Sequence, residues 1–127
     1  MIVISDLHAG SIWGLTPPNW HFQNNEYSDI QKDFWDWFSK KIEVLKPFDI
    51  LVSNGDAIDG VTKVGIDHLT NDLNKQVEIA KNIIDFIGAK KHYIVHGTPF
   101  HVTDDMNAED LIAEYYNTKP KSHLCLS

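Results

Sequence analysis

Acidic residues and histidines follow three short apolar runs of this chain, at the points where each run ends. Asp6 and His8 come directly after an Ile-Val-Ile run, and residues 54–59 (Asn-Gly-Asp-Ala-Ile-Asp) follow a second run. A third run at 92–95 opens into residues 96–101 (His-Gly-Thr-Pro-Phe-His). In an open α/β sheet, ligands bind at the carboxyl ends of the strands, and Asp with His is a ligand set typical of divalent metal ions. The sequence therefore predicts a metal site at one edge of a sheet.

The elements that position these residues alternate between strand and helix. Apolar residues recur at helical spacing over 30–46 and again over 69–87, and Gly88 stands where a left-handed helix cap is favoured. A shorter helix is predicted over about 108–116, with Asn107 as its N-cap. This order predicts a layered α/β fold with a mostly parallel sheet and right-handed crossover helices.

The first predicted helix carries two tryptophans, Trp35 and Trp37. Its apolar stripe at helical spacing consists of Ile30, Phe34, Trp37, Phe38, Ile42 and Leu45. We therefore expect Trp37 to pack into the core rather than to contact a ligand.

The order of these motifs resembles the calcineurin-like metallophosphoesterase family, in which Asp-x-His precedes Gly-Asp-x-x-Asp and a Gly-Asn-His turn follows a third strand. The resemblance implies a phosphoesterase that hydrolyses a phosphomonoester or phosphodiester with a metal-activated water. It implies that Asp6 and His8 bind one ion and that Asp56 bridges two. Asp59 then belongs to the catalytic set as a residue just behind the ligands. The implied cofactors are two divalent ions, and mixed Asp and His ligands suit manganese, with iron or zinc as alternatives.

The third motif departs from the family pattern. Residues 97–101 read Gly-Thr-Pro-Phe-His, so Thr98 stands where the family has its Asn ligand, and the nearest histidine, His101, lies further along the turn. The resemblance places Thr98 among the metal ligands, whereas the chemistry of a threonine hydroxyl favours a role in fixing the turn. His101 is the predicted general acid that protonates the leaving group, and His96 is the alternative.

Residues 9–29 show neither helical nor strand periodicity. A structureless stretch of about twenty residues inside a domain is usually functional, and we expect it to lie over the metal edge with Trp13 and His21 contacting the substrate. The alternative is that its aromatic side chains only pin the loop to the body. In a second loop, Asp67 and His68 are expected to flank the next helix more often than to bind metal.

Composition limits the classes of function. The chain has 127 residues, which suits one domain, and it carries a net charge of −7 with no arginine. This balance argues against holding nucleic acid on a basic face, although a phosphate ester, nucleotides and nucleic acid included, can still be a substrate at a locally positive site. Phosphate recognition would then depend on metal ions, His and Lys. No apolar run is long enough to cross a bilayer, so we expect no membrane partner and a cytoplasmic location.

Members of this family continue with further His-bearing strands, whereas residues 122–127 read as the start of a fourth strand. We therefore expect residues 1–127 to form a single metallophosphoesterase-like domain that is truncated at its C-terminus. An uncovered sheet would favour a homo-oligomer. The alternative function is a non-catalytic remnant that binds a metal or a partner protein.

Overall fold

A parallel sheet of three strands, with helices between and after them, forms the described part of the chain. The computed structural model describes residues 1–23, 26–61, 68–98 and 107–121. The strands are β1 (Ile2–Ile4), β2 (Ile50–Asn54) and β3 (Lys91–Val95), in the spatial order β1-β2-β3 with both pairs parallel. The helices are α1 (Ser28–Leu45), α2 (Leu73–Ile87) and α3 (Ala108–Tyr115), with a short 3-10 helix at Pro18–Trp20. The predicted α/β class is confirmed.

The strand register determines which side chains share a face of the sheet. Ile2 pairs with Leu51, and Leu51 pairs with His92, so these three side chains share a face. Leu51 lies at the centre of a core to which every helix contributes, through side chains that include Trp35, Ile42, Val77, Ile84 and Ile112. The opposite face carries Val52, which is also buried. Because the central strand is buried on both faces, it reads as a continuous apolar run without alternation.

Local signals set the ends of α2 and α3. The Asp72 carboxylate accepts hydrogen bonds from the backbone N–H groups of Asn74 and Lys75, so α2 begins at Leu73 rather than at 69. Gly88 ends this helix in the left-handed conformation, with φ of 70°. Asn107 accepts a hydrogen bond from the backbone of Glu109 at the start of α3. Both predicted caps, Gly88 and Asn107, are present.

The orientation of α1 corrects one expectation. Trp37 is 58% exposed, whereas Trp35 is only 8% exposed and packs edge-on against Phe86 of α2. Gln31 is also buried, and its Oε1 accepts a hydrogen bond from the backbone N–H of Phe22. The contact of Gln31 with the preceding loop and the contact of Trp35 with α2 turn this side of α1, rather than the side that carries Trp37, toward the core. The expectation that Trp37 packs into the core is therefore wrong.

The chain returns to the sheet after α3. Lys121 forms a parallel bridge with Val95, and its backbone N–H donates to the carbonyl of Ile94 at 2.9 Å. The fourth strand predicted at 122–127 lies outside the described residues. Within the part of the chain that the structure describes, no helix is long and apolar enough to cross a membrane.

We expect the stability of the fold to depend on pH through His92. Its imidazole stacks on the Tyr116 ring with centroids 4.1 Å apart, and burial lowers the pKa of His92 from its ordinary value while nearby Asp85 opposes this. The unfolded chain binds a proton near pH 6.5, whereas the folded chain resists it. The contribution of neutral His92 to the free energy of unfolding is therefore complete above pH 6.5 and is lost as the pH falls through the lowered pKa.

The measurement is urea unfolding of the wild type and of His92→Phe, which keeps a stacked ring that cannot be protonated, at pH 7.5, 6.5 and 5.5. The wild type should lose stability relative to the variant as the pH falls. Two stability profiles that run parallel across this range would contradict the prediction.

Candidate functional site

Three residues beyond the ends of β1 and β2 adopt a left-handed backbone conformation. The φ angles are 55° at Asp6, 45° at His8 and 51° at Asp56, and these are three of the four non-glycine residues with positive φ in the described ranges. This conformation costs of order 1–3 kcal/mol for such a residue and clusters at functional sites. The backbone N–H of Asp6 donates to the carbonyl of Gly55, and that of His8 donates to the carbonyl of Asp56. The two turns are thus hydrogen-bonded to each other.

Strand pairing on both sides holds the strained segment in place. Before it, β1 pairs with β2. After it, Ala9 forms a parallel bridge with Ile58, and the backbone N–H of Asp59 donates to the carbonyl of Ala9 at 3.0 Å. The segment from Asp6 to His8 therefore departs from strand geometry between two paired stretches that hold it on both sides.

The imidazole of His8 lies between two carboxylates. Its Nδ1 is 3.2 Å from Oδ1 of Asp59, and its Nε2 is 3.8 Å from Oδ1 of Asp6. A carboxylate on one ring nitrogen fixes the orientation of the imidazole and increases the basicity of the other nitrogen, as is usual for metal-binding histidines. Asp59 therefore orients His8, and the Nε2 atom faces the side on which Asp6 lies.

Asp59 also contacts a second imidazole. His68 Nδ1 lies 3.4 Å from Asp59 Oδ2, and its side chain is 4% exposed. A bridge between Ser11 and His68 holds this residue beneath the loop that follows β1. His68 does not cap α2, since Asp72 does so. Asp67 lies outside the described residues.

The third motif contacts Asp56 directly. The backbone N–H and the hydroxyl of Thr98 both donate to Oδ1 of Asp56, at 2.8 and 3.1 Å. A Cβ atom on Gly97 would lie 2.5 Å from that same oxygen, so only glycine permits this approach. Thr98 thus fixes the turn onto Asp56, which is the role favoured by its hydroxyl. His101 lies outside the described residues.

A buried acid lies beneath the Asp56 turn. Glu109 of α3 is buried, and its Oε1 accepts a hydrogen bond from the backbone N–H of Ala57 at 3.3 Å. Burial raises the pKa of Glu109 from its ordinary value. Sequence reasoning missed this role because an acid in the first turn of a helix is common and needs no tertiary partner. In the same turn of the helix, Asp110 pairs with Nε2 of His96 at 2.9 Å.

The loop after β1 brings one of its two proposed substrate residues to the site. Trp13 lines a cavity of about 360 Å³ together with Asp6 and His8. His21 does not line this cavity, and its Nε2 lies 2.7 Å from the carbonyl oxygen of Thr16 within its own loop. The indole N–H of Trp20 donates to Asn82 of α2, so part of the loop is pinned to the body. The interpretation that aromatic side chains pin the loop to the body thus holds at Trp20, whereas contact of Trp13 with a substrate stays a prediction.

The spacing of Asp6 and His8 bears on whether these two residues could share a metal ion. Ligands about 2.1 Å from one ion stand roughly 3–4 Å apart, and the 3.8 Å between His8 Nε2 and Asp6 Oδ1 is in this range. This distance is compatible with two ligands of one divalent ion. Among residues 1–23, 26–61, 68–98 and 107–121, no group of three or more His, Cys, Asp or Glu side chains is close enough to hold a metal.

Comparison with models of known protein families gives no match, and no curated protein matches the chain either. The functional interpretation therefore depends on the residues and geometry of the site.

Replacing Gly97 tests whether the contact between Asp56 and Thr98 supports a metal site. Gly97→Ala places a methyl group against Asp56, so we expect manganese affinity to fall by about 10- to 100-fold, as for other residues that orient ligands. Gly88→Ala is the matched control, because its nearest neighbour would be 3.7 Å away and the cost of its left-handed φ, about 1–2 kcal/mol, arises far from Asp56. The affinities are measured by isothermal titration calorimetry, and equal values for Gly97→Ala and the wild type would contradict the prediction.

Proposed function

We propose that this chain is a metal-dependent phosphoesterase that hydrolyses a phosphomonoester or phosphodiester with water. The observation that carries the proposal is the placement of Asp6, His8 and Asp56 in two hydrogen-bonded turns at neighbouring strand ends, each residue in a left-handed conformation. Asp59 orients His8 through Nδ1, which is the support that a metal-binding imidazole requires. The order of the three motifs, which resembles the calcineurin-like metallophosphoesterases, supports the same reaction class.

Each side chain has a distinct proposed role. Asp6 and His8 would hold one divalent ion, and Asp56 would be shared with a second ion. Thr98 orients Asp56 through two hydrogen bonds. Manganese suits this donor set, with iron or zinc as alternatives. The chemistry that such ions supply when bound is positive charge toward the phosphoryl oxygens and a lower pKa for water.

The charge balance of the chain supports metal dependence. The protein carries a net charge of −7 and has no arginine. A phosphate group approaching Asp6 and Asp56 meets two carboxylates, and repulsion between like charges at such short range is substantial. Binding an anionic ester at this edge therefore requires cations to be bound there as well.

His101 remains the proposed general acid, on the basis of its position in the sequence after the third strand. The alternative, His96, has its Nε2 2.9 Å from the Asp110 carboxylate, which commits that nitrogen to α3. A histidine that protonates a leaving group must present a donor nitrogen to it. Because His96 is paired with Asp110, His101 is the better candidate for the general acid.

A second candidate function is a non-catalytic metal- or partner-binding protein. One observation favours it, namely the row of large apolar side chains that α1 exposes to solvent at Ile30, Phe34, Trp37, Val44 and Leu45. A contiguous exposed apolar surface often marks a protein interface. Manganese binding without hydrolysis of any phosphate ester, together with self-association in sedimentation, would support this candidate over the enzyme.

Manganese should raise the melting temperature of the wild type, because a ligand that binds only the folded state stabilises it by about 2.7 kcal/mol at a hundred times its dissociation constant. Asp56→Asn should lose most of this gain and should slow hydrolysis of bis(4-nitrophenyl) phosphate. The control is Asp29→Asn, which removes a carboxylate that is 91% exposed on α1. A wild-type melting curve that does not respond to manganese, measured by calorimetry, would refute metal dependence.

His101→Ala should slow hydrolysis of an alkyl phosphate ester, whose leaving group needs a proton, by about a hundredfold or more. An ester with a 4-nitrophenolate leaving group should lose much less rate. The comparison is made by steady-state kinetics on both substrates, with His96→Ala as the matched variant. A larger loss from His96→Ala, or equal losses on the two substrates, would remove His101 from this role.

A further inference from the structure

The cavity beside Asp6 and His8 has an apolar character that phosphate chemistry does not require. It lies between the end of β1 and α1, and its volume is about 360 Å³. We propose, on the basis of the proposed function, that this cavity binds an aromatic group of the substrate. The substrate class is then a small phosphate ester whose organic part carries an aromatic ring.

Four aromatic side chains from two separate elements line the cavity. Trp13 comes from the loop after β1, and Phe34, Trp37 and Phe38 come from α1. Trp13, Phe34 and Trp37 are exposed, at 56%, 40% and 58%, although their ring faces would be buried against a bound group. Large aromatic side chains that remain exposed around a concave surface are typical of a ligand pocket.

Neighbouring rings hold these side chains in place. Trp13 packs edge-on against Tyr27, with centroids 5.5 Å apart and an interplanar angle of 79°. Phe34 and Trp37 lie 6.0 Å apart with their rings tilted by 32°. A ring that is already oriented loses little conformational freedom when a ligand stacks on it. The cavity thus presents oriented rings on which a flat group can stack.

Aliphatic side chains among the other lining residues favour an apolar occupant. Ile4, Leu7 and Leu15 line the cavity, and Ser11 accepts a hydrogen bond from the backbone N–H of Trp13 at 3.2 Å. A polyol hydroxyl placed against the aliphatic side chains would lose its hydrogen bonds to water, which is unfavourable. An aromatic ring has no such hydrogen bonds to lose.

The position of the cavity distinguishes a substrate group from a partner protein. Asp6 and His8 line the same cavity as the aromatic side chains, so a phosphoryl group near these two residues brings its ester substituent into the apolar part. The exposed Val44 and Leu45 of α1 do not line it. The cavity therefore adjoins the proposed active site, and Val44 lies about two turns beyond Trp37 on the same face of α1.

The test compares phosphonates that differ only in their organic group. Phenylphosphonate, methylphosphonate and inorganic phosphate are titrated into the manganese-loaded protein by isothermal titration calorimetry. We expect phenylphosphonate to bind about tenfold more tightly than methylphosphonate, the range expected for a ring stacked on an aromatic side chain. Trp13→Ala and Trp37→Ala should each reduce this preference severalfold, while the affinities for phosphate and manganese stay unchanged.

Tyr115→Ala is the matched control, because Tyr115 is a similarly exposed aromatic residue that does not line the cavity. It should keep the full preference. Phe34→Leu gives a third variant of the cavity if either tryptophan variant fails to unfold cooperatively.

The outcomes separate this inference from the proposed function. If manganese and phosphate bind but phenyl- and methylphosphonate bind equally, the aromatic pocket is refuted and the phosphoesterase proposal stands. If neither manganese nor phosphate binds, both are refuted. The inference would also be overturned if the preference for phenylphosphonate persists in both Trp13→Ala and Trp37→Ala. It would likewise be overturned if self-association of the protein buries Trp37 and abolishes the preference.

Discussion

The close approach of Gly55 to Gly97 is the contact on which the candidate site depends. A Cβ atom on Gly55 would lie 2.9 Å from the Cα atom of Gly97, and one on Gly97 would meet the backbone N and the carboxylate of Asp56. Because both positions lack a side chain, the turns after β2 and β3 come close enough for Thr98 to donate two hydrogen bonds to Asp56. The carboxylate of Asp56 is held in one position as a result. Any larger residue at either glycine would separate the two turns.

The strain at this edge is supported by the fold on both sides of it. Left-handed residues such as Asp6 and His8 persist only where the surroundings determine their conformation. Here β1 pairs with β2 before the segment, and the bridge between Ala9 and Ile58 resumes the pairing after it. Ala9 and Ile58 are both buried in the core. The hydrophobic core thereby stabilises a backbone conformation that the site needs and that the isolated segment would not adopt.

Sequence patterns predicted the features that depend on local chemistry. The α/β class, the caps at Asn107 and Gly88, and the position of Asp6, His8 and Asp56 after strands all follow from periodicity and residue type. The alternation of strands and helices was sufficient to predict the α/β class, because two parallel strands must be joined by a crossover connection, which is usually a helix.

The features that sequence reasoning missed depend on contacts between distant parts of the chain. Periodicity indicates which residues of α1 share a face, but the hydrogen bond from Phe22 to Gln31 and the contact of Trp35 with Phe86 decide which face is buried, and they leave Trp37 exposed. The role of Glu109 was likewise missed, and contact of His68 with the site was considered the less frequent outcome, because their partners Ala57 and Asp59 are brought to them only by the folded chain.

Acidic groups accumulate at one edge of the sheet, since Glu109 lies beneath the turn that carries Asp56 while Asp6 and Asp59 flank His8. An anion alone would be repelled there, so the proposed function implies an order of binding in which cations precede the phosphate ester. The proposed aromatic pocket carries no such requirement, and its affinity for an organic group would add to that of the proposed metal site only when the two groups are joined in one ligand.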